Sequence, residues 1–243
     1  QQPAATLTPA PTVTPTPTVT PTSSHTPVPA SPTATATAPT EWTRVVLRAG
    51  AESGGVVDTY LDAQAPESNA RSAGRLLVRQ GSSAVLLMRF DLSALPAGAS
   101  VKRATLRAYV VGRNHPGALV ASVSRLIRRW DIDAVTWRRA TATDGWAQPG
   151  AGGIGHDRAG GVYATADTEG VEQWVEWEVG ALVQEWLAAP THNDGLLISG
   201  EASAAIEYAF ASSEWDPEEL RPALEIDYVA APPTPTATRS APQ

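Results

Sequence analysis

The sequence predicts an all-β domain: an antiparallel two-sheet β-sandwich, jelly-roll-like, with one short helix and Pro/Thr-rich tails on either side. Three observations carry that prediction. Short period-two runs recur along the middle of the chain with Gly, Pro, Asn or Asp between them, the pattern of many half-buried strands joined by turns. A helical period occurs once, in GALVQEWLAA at 180–189. Residues 1–40 and 230–243 have compositions that cannot build a core, which leaves one domain over 41–229.

Residues 1–40 hold no Asp, Glu, Lys or Arg and no aromatic residue; they are mostly Thr, Pro, Ala and Val. Proline fixes its own φ and disfavours helix in the residue before it, so the tract is extended, of the kind found in stalks and linkers. From residue 11 to 22 the alternation is strict, with Thr12, Thr14, Thr16, Thr18, Thr20 and Thr22 separated by proline or valine. Successive amides of an extended strand point to opposite edges, so the prolines strip donors from one edge while the threonine amides keep the other. Such a segment can join a sheet only at its edge. The same six threonines are accessible O-glycosylation candidates.

The organising stretch of the globular part is 83–111. Leu86, Met88, Phe90 and Leu92 alternate with Leu87, Arg89 and Asp91, and Ala104, Leu106, Ala108 and Val110 alternate with Arg103, Thr105, Arg107 and Tyr109. Pro96 and Gly98 break the run between them. Upstream, 42–49 reads as a first strand ending near a Gly54-Gly55 turn. Downstream, 118–129 is a strand that runs into a turn bracketed by Trp130 and Trp137. The glycine-dense 145–161 has no periodicity and is a long loop, either a site or a mobile insertion. In 172–179, Val175, Trp177 and Val179 alternate against Glu172, Trp174, Glu176 and Glu178, which sets Trp174 on the polar face. The helix at 180–189 carries Leu182, Val183, Trp186 and Leu187 on one side and stops before Pro190. Strands at 196–199, 206–211 and 223–228 close the sheet, the last with Glu225 and Asp227 outward. Trp130, Trp137, Trp177 and Trp186 are expected in the core.

Four stretches carry a resemblance in chain order: LLMRFDLSALPAGASVKRATLRAYV at 86–110, RRWDIDAVTWRRA at 128–140, WVEWEVGALVQEWLAAPTHNDGLLISG at 174–200 and YAFASSEWDPEELRPALEIDY at 208–228. Together they resemble the DNRLRE domain, a family of secreted bacterial β-sandwich modules that includes alginate-binding carbohydrate-binding modules. On that resemblance 57–62 is the opening strand, SNARSAGRLLV at 68–78 a glycine-containing loop and second strand, and the setting is extracellular or the cell surface.

Composition excludes several classes. The net charge is −7 and Lys102 is the one lysine, so there is no broad basic footprint for nucleic acid. With no cysteine, neither disulfides nor thiolate chemistry is open to the chain. No window approaches the roughly 20 apolar residues of a membrane helix. The chain opens at Gln1 without a charged or apolar leader, as expected of a mature secreted protein. There is no GxSxG, HExxH or P-loop, and His25, His115, His156 and His192 have no metal spacing, so an enzyme is not expected. No cofactor is expected either. Structural calcium could sit at Asn193-Asp194 or at Asp131 and Asp133, but two acidic residues do not make a six-to-eight-ligand cage, and no metal ligand is named.

Binding chemistry is better represented. Trp174 and Tyr109 stand outward by pattern and offer aromatic faces to sugar rings. Arg103, Arg107 and Arg89 lie on outward faces of the central pair and could grip a uronate carboxylate in bidentate fashion. Two functions follow. In one, the chain is a non-catalytic structural subunit of a fibre or surface layer whose glycosylated N-terminal tail docks on a neighbouring copy to give a homo-polymer. In the other it is a carbohydrate-binding module for an acidic polysaccharide such as alginate, carried on stalks.

Overall fold

The computed structural model describes residues 41–50 and 55–231; Thr12 to Thr22, the Gly54 end of the first expected turn and 232–243 lie outside the described residues. The described chain forms strands β1 (Thr43–Arg48), β2 (Val56–Asp62), β3 (Arg75–Arg79), β4 (Ala84–Phe90), β5 (Ser100–Arg113), β6 (Leu119–Arg125), β7 (Ala164–Thr168), β8 (Gln173–Glu178), β9 (Leu196–Glu201), β10 (Glu207–Ala211) and β11 (Ala223–Val229). The α-helix α1 (Gly180–Ala188) lies between β8 and β9. All strand pairs are antiparallel.

The ladder is continuous, β1-β11-β5-β10-β3-β4-β9-β6-β7, with β2 on β4 and β8 on β5. It curls into two layers because β5, 14 residues long, meets β11 and then β10 along one edge and β8 along the other. The main core fills the space between the layers. Leu106, Ala108, Val110, Val175, Trp177, Leu224 and Ile226 enter it from one side, and Leu86, Met88, Phe90, Val123 and Ile198 from the other. Trp177 carries its polar edge across the gap, donating from Nε1 to Ala121 O at 2.9 Å. Helix α1 buries Leu182, Val183 and Trp186 against this core at one end of the sandwich.

Strand β4 departs from the half-buried pattern. Its second face, Val85 and Leu87, is also buried, in a second core with Leu61, Leu126, Trp130, Val135, Trp146 and Leu197. Residues 126–151 fold across the outside of β2, β4 and β9 and cover them, so AVLLM reads as a nearly unbroken apolar run, as a strand buried on both faces does. Arg89 therefore does not stand on an open sheet face as expected; it is half-buried at the end of β4. Trp130, Trp177 and Trp186 are core as expected, whereas Trp137 is only partly buried against the second core.

The glycine-dense loop is assembled around a buried carboxylate. Asp157 accepts from the amides of Ala147, Gln148 and Gly153 at 2.8, 2.9 and 2.9 Å. Gly153 is required there, since a Cβ would lie 2.6 Å from Asp157 Oδ2. At Gly150, φ is +73° and a Cβ would meet the Trp137 ring at 2.4 Å.

Candidate functional site

Two surfaces gather the chemistry singled out in the sequence. The first is the outer face of β8, β5, β11 and β1. The register sets Tyr109 opposite Trp174 and Arg107 opposite Glu176. The two rings meet edge to face, with centroids 5.2 Å apart and planes at 69°. The Arg107 guanidinium lies 4.7 Å from the centre of the Trp174 ring, donates to Glu225 at 2.8 Å, and brings Nε within 2.9 Å of Glu176, off the N–H axis. Beside it, Arg103 donates to Glu178 at 2.5 Å and Arg44 to Asp227 at 2.6 and 2.8 Å. The hydrogen bond from Arg103 holds the Glu178 carboxyl below its ordinary range, and that from Arg44 does the same for Asp227.

Four of the five sugar-binding candidates, Trp174, Tyr109, Arg103 and Arg107, thus come together. Their guanidiniums already face carboxylates, and Trp174 has Arg107 over one face and makes an edge-to-face contact with Tyr109. Between them is a shallow hollow of about 250 Å³ lined by Arg44, Arg103, Arg107, Glu176, Glu225 and Asp227. It is charged and self-neutralised.

The second surface is a groove at the end of the sandwich, and the fifth candidate, Arg89, lies in it. Two hollows, of about 660 and 590 Å³, share Arg89, Pro190 and Asn193. Phe90, Leu92, Leu95, Trp186 and Leu187 give the first an apolar wall, with Asp91 and Ser93 at its polar side. Arg129, Trp130, Asp131, Thr141 and Asp194 line the second.

The walls are tied together through backbone carbonyls. Asn193 Nδ2 donates to Phe90 O at 2.9 Å, joining the chain after α1 to the end of β4, and Trp130 Nε1 donates to Asp194 O at 2.8 Å. The Arg89 guanidinium lies 5.1 Å from the centre of the Trp130 ring. Among the described residues neither Arg89 nor Arg129 is in an ion pair. Burial pushes the Asp194 carboxyl above its ordinary value, against the opposing pull of Arg89, Arg129, His192 and Arg125.

Arg129 and Pro190 were not singled out as ligand-binding by the sequence, and Asn193 only as a calcium candidate, because two segments distant in the chain supply them. The adjacency of Arg129 and Trp130 was the one local signal. The oxygen-rich stretches are engaged within the protein: Asp133 pairs with Arg71, and Asp131 accepts the Asp133 amide at 3.0 Å. Among the described residues no cluster of three or more His, Asp or Glu side chains could hold a metal ion, and no helix is long and apolar enough to cross a membrane.

No curated protein matches the chain. Residues 58–226, from β2 to β11 and through both cores, match the model of the disaggregatase related repeat domain, and the chain belongs to that family of β-rich domains.

Proposed function

We propose that the chain is a non-catalytic extracellular carbohydrate-binding module whose ligand, an acidic polysaccharide, seats in the groove at the end of the sandwich. The observation that carries this reading is the pair Arg89 and Arg129, two guanidiniums in one groove that form no ion pair among the described residues, although Asp131 and Asp194 line the same hollow. A guanidinium is a planar fork that fits a carboxylate, and the Trp130 ring, 2 % exposed, backs Arg89 from the core without offering a face to a sugar. On the sheet face, by contrast, Glu178 and Glu225 occupy Arg103 and Arg107. The resemblance to DNRLRE modules supports the same ligand class. The family name speaks of a disaggregatase; the sheet-face carboxylates are held in ion pairs with arginine, which favours binding without catalysis on that face, while Asp91, Asp131 and Asp194 line the groove.

Affinity electrophoresis through gels containing alginate or polygalacturonate tests it. Arg129→Ala, at an exposed position, should weaken retention about tenfold, the scale of one charge-assisted contact, while Arg107→Ala should retain it. Retention of Arg129→Ala equal to wild type would remove the groove from the reading.

A second reading is supported by the strict Thr alternation of 11–22 together with β2, which pairs only with β4 among the described strands. In it the chain is a fibre or surface-layer subunit, with the O-glycosylated tail of one copy added at a sheet edge of the next.

A further inference from the structure

We infer that β7 is a self-association edge: two copies of the chain pair their β7 strands antiparallel about a twofold axis at Ala166, which joins the β9-β6-β7 ladders of two sandwiches into one sheet.

Among the described strands, β1, β2, β7 and β8 each pair along one edge only. Proteins guard such edges with charged side chains, proline or bulges. β1 carries Arg44 and Arg48, β2 carries Asp58 and Asp62, and β8 carries Glu176 and Glu178. β7, with the sequence ATADT, has no proline and a single charge, Asp167.

The register fixes which of its backbone groups are open. The amide of Leu126 donates to Gly195 O at 2.9 Å, in step with the β6–β9 register, so β6 bonds to β9 through Val120, Ser122 and Ser124. Alternation turns the backbone groups of Leu119, Ala121 and Val123 toward Thr168, Ala166 and Ala164 of β7. The N–H and C=O of Thr165 and Asp167 are left pointing away from the sheet, and both residues are exposed.

The ways of laying this edge against its own copy are not equivalent. With Thr165 opposite Thr165, the ladder calls on the Tyr163 amide, which already donates to Val123 O at 2.9 Å. With Asp167 opposite Asp167, like charges meet directly. With Thr165 opposite Asp167, the open backbone groups of both residues find partners, and the Thr165 hydroxyl stands beside a carboxylate to which it can donate. Ala166 then faces Ala166 in the narrow pair that exchanges no hydrogen bonds, where a small side chain fits. The same register carries the exposed Val162 of one copy toward the exposed Val171 of the other. In that arrangement the strand is its own complement.

Oxidative cross-linking of the full chain tests this, because the native sequence has no cysteine. Ala166→Cys should give a covalent dimer on a denaturing gel. Adding Thr165→Pro, which removes an outward N–H and spares the ladder to β6, should lower the dimer yield about tenfold. Asp167→Lys, at an exposed position of the same edge, should lower it likewise with an unchanged melting curve. Absence of a covalent dimer from Ala166→Cys, or a yield that Thr165→Pro and Asp167→Lys leave unchanged, overturns the inference.

Discussion

Asp157 accepts a 2.8 Å hydrogen bond from Nε of Arg128, and this pair fixes the outer wall of the second core. The carboxylate is fully buried, and with three loop amides also donating to it, both oxygens are saturated. Asp157→Ala leaves a partly buried guanidinium edge and three amides without an acceptor. It should lower the unfolding free energy by about 3–5 kcal/mol. Asp157→Asn keeps one acceptor oxygen and turns an NH₂ toward the remaining donors, so it should fall between the two. Urea unfolding measures both losses. A shift below about 1 kcal/mol for the alanine variant would mean that the loop is held by apolar contacts instead.

Asp58 is a second buried carboxyl with the opposite balance. Burial pushes its pKa to about 6, while the amide and hydroxyl of Ser213, each at 2.8 Å, pull it part of the way back. The folded chain therefore binds this proton more tightly than the unfolded chain, where the group titrates near 3.8. Its contribution to stability is full below the unfolded value and is lost as pH rises through about 6, an effect of up to about 3 kcal/mol. Asp58→Asn stays neutral and can still accept from Ser213. The variant should match wild type near pH 4 and be more stable than wild type at pH 8. Melting curves of both proteins at the two pH values decide it: a difference that does not change with pH would show that Asp58 is not the titrating group.

The layout of strands was legible where side chains alternate in size and polarity. Leu106, Ala108 and Val110 against Arg107 and Tyr109 specify β5 from a short window, and Leu182, Val183 and Trp186 specify α1 in the same way. Strand β7 escaped because Ala164–Thr168, ATADT, has no large apolar residue to carry a period. The double burial of β4 and the half-burial of Arg89 depend on residues 126–151 folding back over the sheet, a tertiary event with no local signature. The groove escaped for the same reason: Arg89, Arg129 and Asn193 belong to segments tied by hydrogen bonds to carbonyls, and carbonyls are the same at every position of the sequence.

On the sheet face, Arg107 is held in two ways, by Glu225 and Glu176 and by the Trp174 ring. The ion pairs are partly exposed and screen with salt; stacking on the ring does not to the same degree. Arg107→Ala should lower stability by about 1 kcal/mol in dilute buffer, and that loss should shrink in ~1 M salt, where the Debye length is about 3 Å. Trp174→Ala should cost a loss that salt leaves unchanged. Equal salt dependence for both variants would contradict the division.

The threonines from Thr12 to Thr22 alternate with proline or valine, and an extended uncharged tract is open to a glycosyltransferase. Protein from its native source should have an intact mass above the 25.4 kDa of the sequence. A mass equal to the sequence would defeat the expectation.

Deleting residues 1–40 separates the two functional readings. The core side chains of the described fold all lie between Val45 and Tyr228, so the deletion removes none of them, and the truncated chain should fold and stay soluble. If one copy's tail adds to a neighbour's sheet, pairing takes place on the threonine-amide side and stops there, because the proline side lacks the donors to template another strand. One tail would then join one subunit to the next without lateral growth. The full chain should form polymers that negative-stain microscopy resolves, and the truncated chain should form none by light scattering at the same concentration. Retention on an acidic polysaccharide should be unaffected, because the groove residues lie between Gly55 and Asp194. Polymers that survive the deletion, or a full chain that forms none at high concentration, would make the tail a stalk and leave carbohydrate binding as the whole function.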